Sequence, residues 1–191
     1  MKIYTKTGDN GTTQFFGYGL VPKDDPRIEA LGALDELNSV IGITLCFVED
    51  QGIRKLLIKT QNDLFQVGSD LVGSKLDQTS LPRIQESHIL ELETAIDGLQ
   101  EKLGIPNKFI LPGGTIASSF IHLCRATTRR AERSLVTASK IIQINSTLLR
   151  YVNRLSDFLF IMARDANNEL DVKEQQPIYK YFDSENSTGN I

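Results

Sequence analysis

From residue 27 to about residue 169 the apolar side chains recur at intervals of three and four, while residues 1–26 are broken by Gly8, Gly11, Gly17, Gly19, Pro22 and Pro26. That contrast constrains the fold more than any other feature. Glycine and proline at this density forbid a long helix, so residues 1–26 read as an extended or looped segment. The three-and-four spacing places each apolar set on one helix face. It predicts helices over about 27–49, 52–72, 85–103, 115–142 and 146–169. Their stripes are Leu31, Leu34, Ile41, Leu45 and Val48; Ile53, Leu57, Leu64, Val67 and Leu71; Ile89, Leu92, Ile96, Leu99 and Leu103; Ile116, Phe120, Leu123, Ala131, Leu135 and Ala138; and Leu148, Val152, Leu155, Leu159 and Met162. Helices of this length with short joints favour an antiparallel bundle, hence an all-α fold. Pro82 and then Pro106, Pro112, Gly113 and Gly114 mark two of the joints. The expected organisation is one domain over 1–191, with an N-terminal loop (1–26), a helical bundle (27–170) and a loose polar tail (171–191). In that tail Ile178, Tyr179, Tyr181 and Phe182 offer docking groups.

Charge narrows the function classes. Lys plus Arg is 21 and Asp plus Glu is 24, a net charge of −3, which argues against a general nucleic-acid binder. Any anion site must be a local cluster of base. Cys46 and Cys124 are too few for a disulfide framework and suit a reduced, cytoplasmic interior. No signal peptide and no run of membrane-spanning length is visible, so no membrane partner is expected. The glycosylation patterns at Asn145 and Asn186 then read as chance.

Several clusters sit badly in a purely structural bundle. Thr5-Lys-Thr-Gly-Asp-Asn-Gly-Thr-Thr13 gathers hydroxyls, a lysine and two glycines. It is an ordinary polar turn, or a cradle in which backbone N–H groups, hydroxyls and Lys6 meet phosphate oxygens. It is not a Walker loop, because no Gly-Lys-Ser/Thr follows. Arg125, Arg129 and Arg133 are successive i,i+4 neighbours with Arg130 and Glu132 between them. Like charges stacked this way repel, so they form a solvated basic face or meet an acid or a ligand. Asp35, with Glu36 and Asn38, lies beside the first apolar stripe as a surface acid or as that partner. Asn153-Arg-Leu-Ser-Asp157 repeats the pattern on the last helix. Lys23-Asp-Asp25 before Pro26 reads as helix-capping acids or a mixed-charge site.

His88 and His122 are the only histidines, and His122 reads as a core or partner-satisfied residue. Neither a zinc site nor a Ser-His-Asp triad can be assembled. Phe109 reads from its apolar setting as core packing.

Taken in order, Tyr4–Thr12, Lys23–Asp25, Glu29-Ala-Leu-Gly32, Asp35-Glu-Leu-Asn38, Phe109–Gly114, Arg129-Arg-Ala-Glu-Arg133 and Asn153–Asp157 resemble the PduO-type ATP:cob(I)alamin adenosyltransferases. The resemblance spans about residues 2–170, with Leu31 where that family usually has an aromatic residue. It implies a five-helix bundle assembled as a homotrimer with sites between subunits. It implies transfer of the 5′-deoxyadenosyl group of ATP to cob(I)alamin, with Mg2+ held through the ATP phosphates. On that reading ATP is bound by Thr5, Lys6, Thr7, Gly8, Asp9, Gly11, Thr12, Thr13, Lys23, Arg129, Arg130, Glu132, Arg133 and Asn153. Cobalamin is bound by Phe109, Asp35, Asn38 and Arg125. Asp35 pairs with Arg125, Phe109 packs under the corrin, and Arg129, Asp35, Arg125 and Phe109 carry the catalytic roles. A cobalamin reductase of flavoprotein type and an adenosylcobalamin-dependent acceptor enzyme are the implied partners. The alternative is a non-catalytic corrinoid or nucleotide carrier that delivers cofactor to a dependent enzyme.

Overall fold

The computed structural model describes residues 2–73, 81–106 and 108–178. Its elements in chain order are β1 (Thr12–Phe15), β2 (Gly19–Pro22), α1 (Pro26–Leu45), α2 (Gln51–Val72), α3 (Glu86–Leu103), α4 (Ile116–Ala138) and α5 (Ser146–Asn168). The N-terminal segment, expected to be extended or looped, forms a two-stranded antiparallel hairpin pairing Thr12 with Pro22 and Phe15 with Gly19. Phe15 and Val21 point inward and are buried, which docks the hairpin. Among the described residues no helix is long and apolar enough to cross a membrane.

The helices start where polar side chains satisfy their free amides. Asp25 accepts from Arg27 N at 2.9 Å, with Pro26 in the first helical turn. Asp50 accepts from Ile53 N at 2.7 Å, Thr115 from Ser118 N at 3.0 Å and Asn145 from Thr147 N at 3.0 Å. The capping reading of Asp25 is therefore correct.

α5 lies at the centre, packed against α3 and α4, and α4 packs in turn on α1. Leu148, Val152, Leu155, Leu159 and Met162 are all fully buried, as the periodicity predicts. Truncating one such leucine to alanine costs about 2–5 kcal/mol. The fourth stripe needs correction. Ala131, Leu135 and Ala138 are buried, but Ile116 and Leu123 are exposed. The core face of the first half of α4 is Ser118, Ile121, His122 and Cys124. Both phases are apolar enough to pack, and α1 and α5 take the second. The outer phase leaves Ile116 and Leu123 exposed, together with Ile43 and Phe47 of α1 and its end. There the Phe47 and Phe120 rings stack, with centroids 5.0 Å apart.

The described residues of the tail are tied to the body of the protein. Leu111 N donates to Gln175 O at 2.7 Å, and Arg164 pairs with Glu174. Ile178 does not dock and is exposed. Tyr179, Tyr181, Phe182 and Asn186 lie outside the described residues.

Candidate functional site

The hairpin brings two sequence clusters together. Lys23 N donates to Gly11 O at 2.9 Å, which continues the ladder past Pro22. Lys23 thereby lies against the loop of residues 5–13. A Cβ on Gly8 would stand 3.2 Å from Lys23 Nζ, so glycine there permits the close approach. The loop is a run of turns: Gly11 N bonds Gly8 O at 3.3 Å, and Thr5 Oγ1 meets Thr7 Oγ1 at 2.8 Å. Lys6 adopts φ 62°, a left-handed conformation unusual for lysine. Hydroxyls, backbone amides and two lysines thus share one exposed rim. Arg27 is not part of it. Its guanidinium lies 4.7 Å from the Tyr18 ring centroid and pairs with Asp25 at 2.7 Å, holding the Asp25 carboxyl at about 2.

The basic helix divides into occupied and open groups. Arg130 is paired with Glu36 of α1, so the acid its charge demanded is Glu36. Asn153 Nδ2 donates to Glu132 Oε1 at 2.9 Å and ties α5 to α4. Arg129 and Arg133 are exposed, and neither has a described partner. A groove lined by Asp24, Glu29, Arg130 and Arg133 joins the end of the hairpin to this helix. No described bond joins the loop of residues 5–13 to Arg129.

Phe109 overturns the core-packing reading, being 82% exposed. The peptide here turns too sharply for a helix and carries the ring outward: Gly113 and Gly114 follow, and Asn167 clamps the turn through Gly113 O at 2.9 Å and Thr115 N at 2.9 Å. Phe109 and Arg125 line one cavity of about 870 Å³ with Lys108, Ile110, Phe160 and Gln176. Arg125 lines this cavity beside the apolar ring, while its Nε is buried behind the cavity surface without a hydrogen-bond partner. His122 lies behind this wall, 4% exposed, with its ring 6.1 Å from that of Phe160. Burial, and then the Arg125 charge, hold its pKa below the ordinary histidine range. It is a core residue as expected, but neither ring nitrogen finds a partner.

Asp35 and Asn38 lie elsewhere. Both open into a groove of about 340 Å³ with Phe16, Leu34, Phe65 and Val72. Asp35 is exposed and is not joined to Arg125 within one chain. Asn38 exchanges backbone contacts with Gln61, Gln61 Nε2 reaching Asn38 O at 3.1 Å, while its own Oδ1 stays unpartnered. Phe160, Phe65 and Lys108 were missed by sequence reasoning. None belongs to a quoted motif, and an aromatic on an apolar helix carries no mark that it faces a cavity.

A family model for cobalamin adenosyltransferase matches residues 3–166. A corrinoid adenosyltransferase of Bacillus subtilis is 43% identical over 173 residues, covering 87% of each chain. One of Citrobacter freundii is 40% identical over 172 residues, covering 90% of this chain and 98% of that one. A phenylalanine-to-alanine variant of a PduO-type ATP:corrinoid adenosyltransferase from Lactobacillus reuteri, complexed with cobalamin and ATP, superposes with a TM-score of 0.87. It is 39% identical and covers 92% of this chain and 99% of that chain.

Proposed function

Because the chain belongs to the cobalamin adenosyltransferase family, we propose that its cavities and basic helix serve adenosylation of cobalamin by ATP. It is an ATP:corrinoid adenosyltransferase: the 5′-deoxyadenosyl group of ATP passes to cob(I)alamin. The observation that carries the reading onto this chain is the cavity in which exposed Phe109 stands beside the Arg125 guanidinium.

The nucleophile is the substrate cobalt. Its electron pair forms the Co–C5′ bond as the C5′–O bond breaks and triphosphate leaves. No proton moves, so no general base is required. The protein positions two substrates, a contribution of roughly 7–11 kcal/mol to barrier lowering. It also receives a departing polyanion, which the loop of Thr5–Thr13, Lys23, Arg129 and Arg133 suit. Arg130 pairs with Glu36 and Glu132 accepts from Asn153, and these groups with Arg129 are the α4 and α5 side chains assigned to the nucleotide. Among the described residues no three His, Cys, Asp or Glu side chains converge on a metal position. Mg2+ would enter with ATP, held by the phosphates, whose hard oxygens suit it. Phe109 is the apolar wedge that keeps a lower axial ligand off cobalt and favours the electron-rich reduced state.

A homotrimer is the assembly that the family resemblance implies. Asp35 with Asn38 and Arg125 with Phe109 form separate half-sites on one chain, and the apolar face of Ile43, Phe47, Ile116 and Leu123 lacks a cover. In such an assembly Asp35 of one copy would pair with Arg125 of another. A flavoprotein reductase supplies the electron, and an adenosylcobalamin-dependent enzyme takes the product. The test is spectral: the protein is mixed anaerobically with ATP, Mg2+ and reduced cobalamin. Appearance of the alkylcobalamin spectrum over several turnovers is expected. A single turnover per site would instead mark a carrier, and no spectral change would sink the reading.

A further inference from the structure

The cavity around Phe109 has one fixed wall and one built of irregular chain. α4 and α5 supply Arg125 and Phe160, whereas Lys108, Phe109, Gln176 and Pro177 come from residues 108–115 and 172–178. Irregular segments hold a shape only where their backbone and side chains are tied down. Here the ties converge on α5. Arg164 Nη1 donates to Gly104 O at 2.7 Å. Its Nε donates to both carboxylate oxygens of Glu174, at 2.9 and 3.2 Å. Leu111 N donates to Gln175 O at 2.7 Å, which joins the two segments directly. The Arg164 and Glu174 side chains are 9% and 22% exposed, so this pair is withdrawn from water rather than loose on the surface.

We propose that Arg164 is a positioning residue for the corrinoid cavity. Through Gly104 it holds the start of the loop, through Glu174 it holds the tail, and so it sets where Phe109 stands against Arg125. The inference rests on the corrinoid reading above. Phe109 is too exposed to be placed by its own packing, so its position follows from the backbone on either side. One rigid guanidinium plane serves both segments at once, which a lysine ammonium does not reproduce. The ATP-side groups, in the loop of residues 5–13, on the hairpin, on the later turns of α4 and at Asn153 of α5, are not among these ties. Loosening the latch should therefore affect one substrate and not the other.

Glu174→Gln removes the charge, keeps the shape and lies outside every helix, so it leaves the bundle folded. In the free protein, amide exchange at Leu111 should rise about tenfold, because its bond to Gln175 opens more often. KM for cobalamin should rise by about fivefold or more while KM for ATP holds. The four-coordinate form of bound cob(II)alamin should decline. Arg164→Lys should show the same split more strongly. Unchanged exchange and unchanged cobalamin KM in Glu174→Gln would overturn the latch. So would a joint rise of both KM values with a lower Tm, which would make the pair a general stabiliser. Failure of the wild-type protein to adenosylate would overturn the activity instead, and the exchange measurement, made without substrate, would still decide the latch.

Discussion

Asp35 and Arg125 stand on α1 and α4, two helices packed against each other, yet they open into different cavities and are not paired within the chain. Arg125 keeps a buried Nε without a partner, and Asp35 is exposed. A pairing between copies, through the Arg125 guanidinium where it lines its cavity, would join the two charges. Asp35→Asn is expected to weaken cobalamin binding and to loosen the oligomer, while ATP affinity stays within about threefold. The check is a double-mutant cycle with Arg125→Gln, read in activity and in sedimentation. Coupled residues give non-additive losses. Additive losses would show that the two do not meet.

Arg129 is exposed and has no described partner, so its substitution should leave the fold intact. Arg129→Lys keeps the charge but loses the planar fork. Turnover is expected to fall at least about tenfold, equivalent to roughly 1.4 kcal/mol in the barrier. Steady-state kinetics with a melting curve tests this. Full activity would return the arginine to a solvated face.

Phe109 is 82% exposed, which separates its function from stability. Phe109→Ala should shift stability by no more than about 0.5 kcal/mol, as for other surface changes. Adenosylation should slow sharply, and bound cob(II)alamin should show less of the four-coordinate form. A large drop in Tm would instead revive the core-packing reading.

Gly114 has φ 109°, and a Cβ added there would overlap the buried Asn167 side chain. Asn167 cannot retreat without releasing Gly113 O and Thr115 N. Gly114→Ala should therefore cost about 1–3 kcal/mol and disturb the Phe109 cavity. Thermal melting and cobalamin affinity should change together. A variant as stable as wild type would show that the turn relaxes freely.

Asp25 caps α1 and pairs with Arg27, and that hydrogen-bonded guanidinium lowers its pKa from 3.8 to about 2. A depressed folded-state value means the contribution is fully present above pH of about 4 and is lost as pH falls toward about 2. Near the surface it is worth about 1 kcal/mol. Asp25→Ala should lower Tm at pH 7 and flatten this part of the acid-unfolding profile. Asp25→Asn, which keeps a cap, should lower Tm less. Equal losses in the two variants would mean that the cap contributes nothing.

Local pattern settled a great deal. The three-and-four spacing is a property of each segment alone, and it placed five helices with ends close to those observed. The glycine and proline spacing excluded helix before Pro26, and the capping acid at Asp25 was legible for the same local reason. The order of the quoted motifs pointed to the family that the comparisons show. Other facts depend on which faces the neighbours leave open. The sequence of α4 offers two apolar phases, and only the packing of α1 and α5 decides that Ile121 and Cys124 go inward while Ile116 and Leu123 go outward. Phe109 looked like core because an apolar residue in a chain carries no sign of which side is solvent. Glu36, not Asp35, reaches Arg130, because one residue along a helix turns a carboxylate by about 100° about the axis. Arg164 bonds Glu174 in the tail and Gly104 O beyond the end of α3 at once, a convergence of separate segments on one guanidinium that no local spacing encodes.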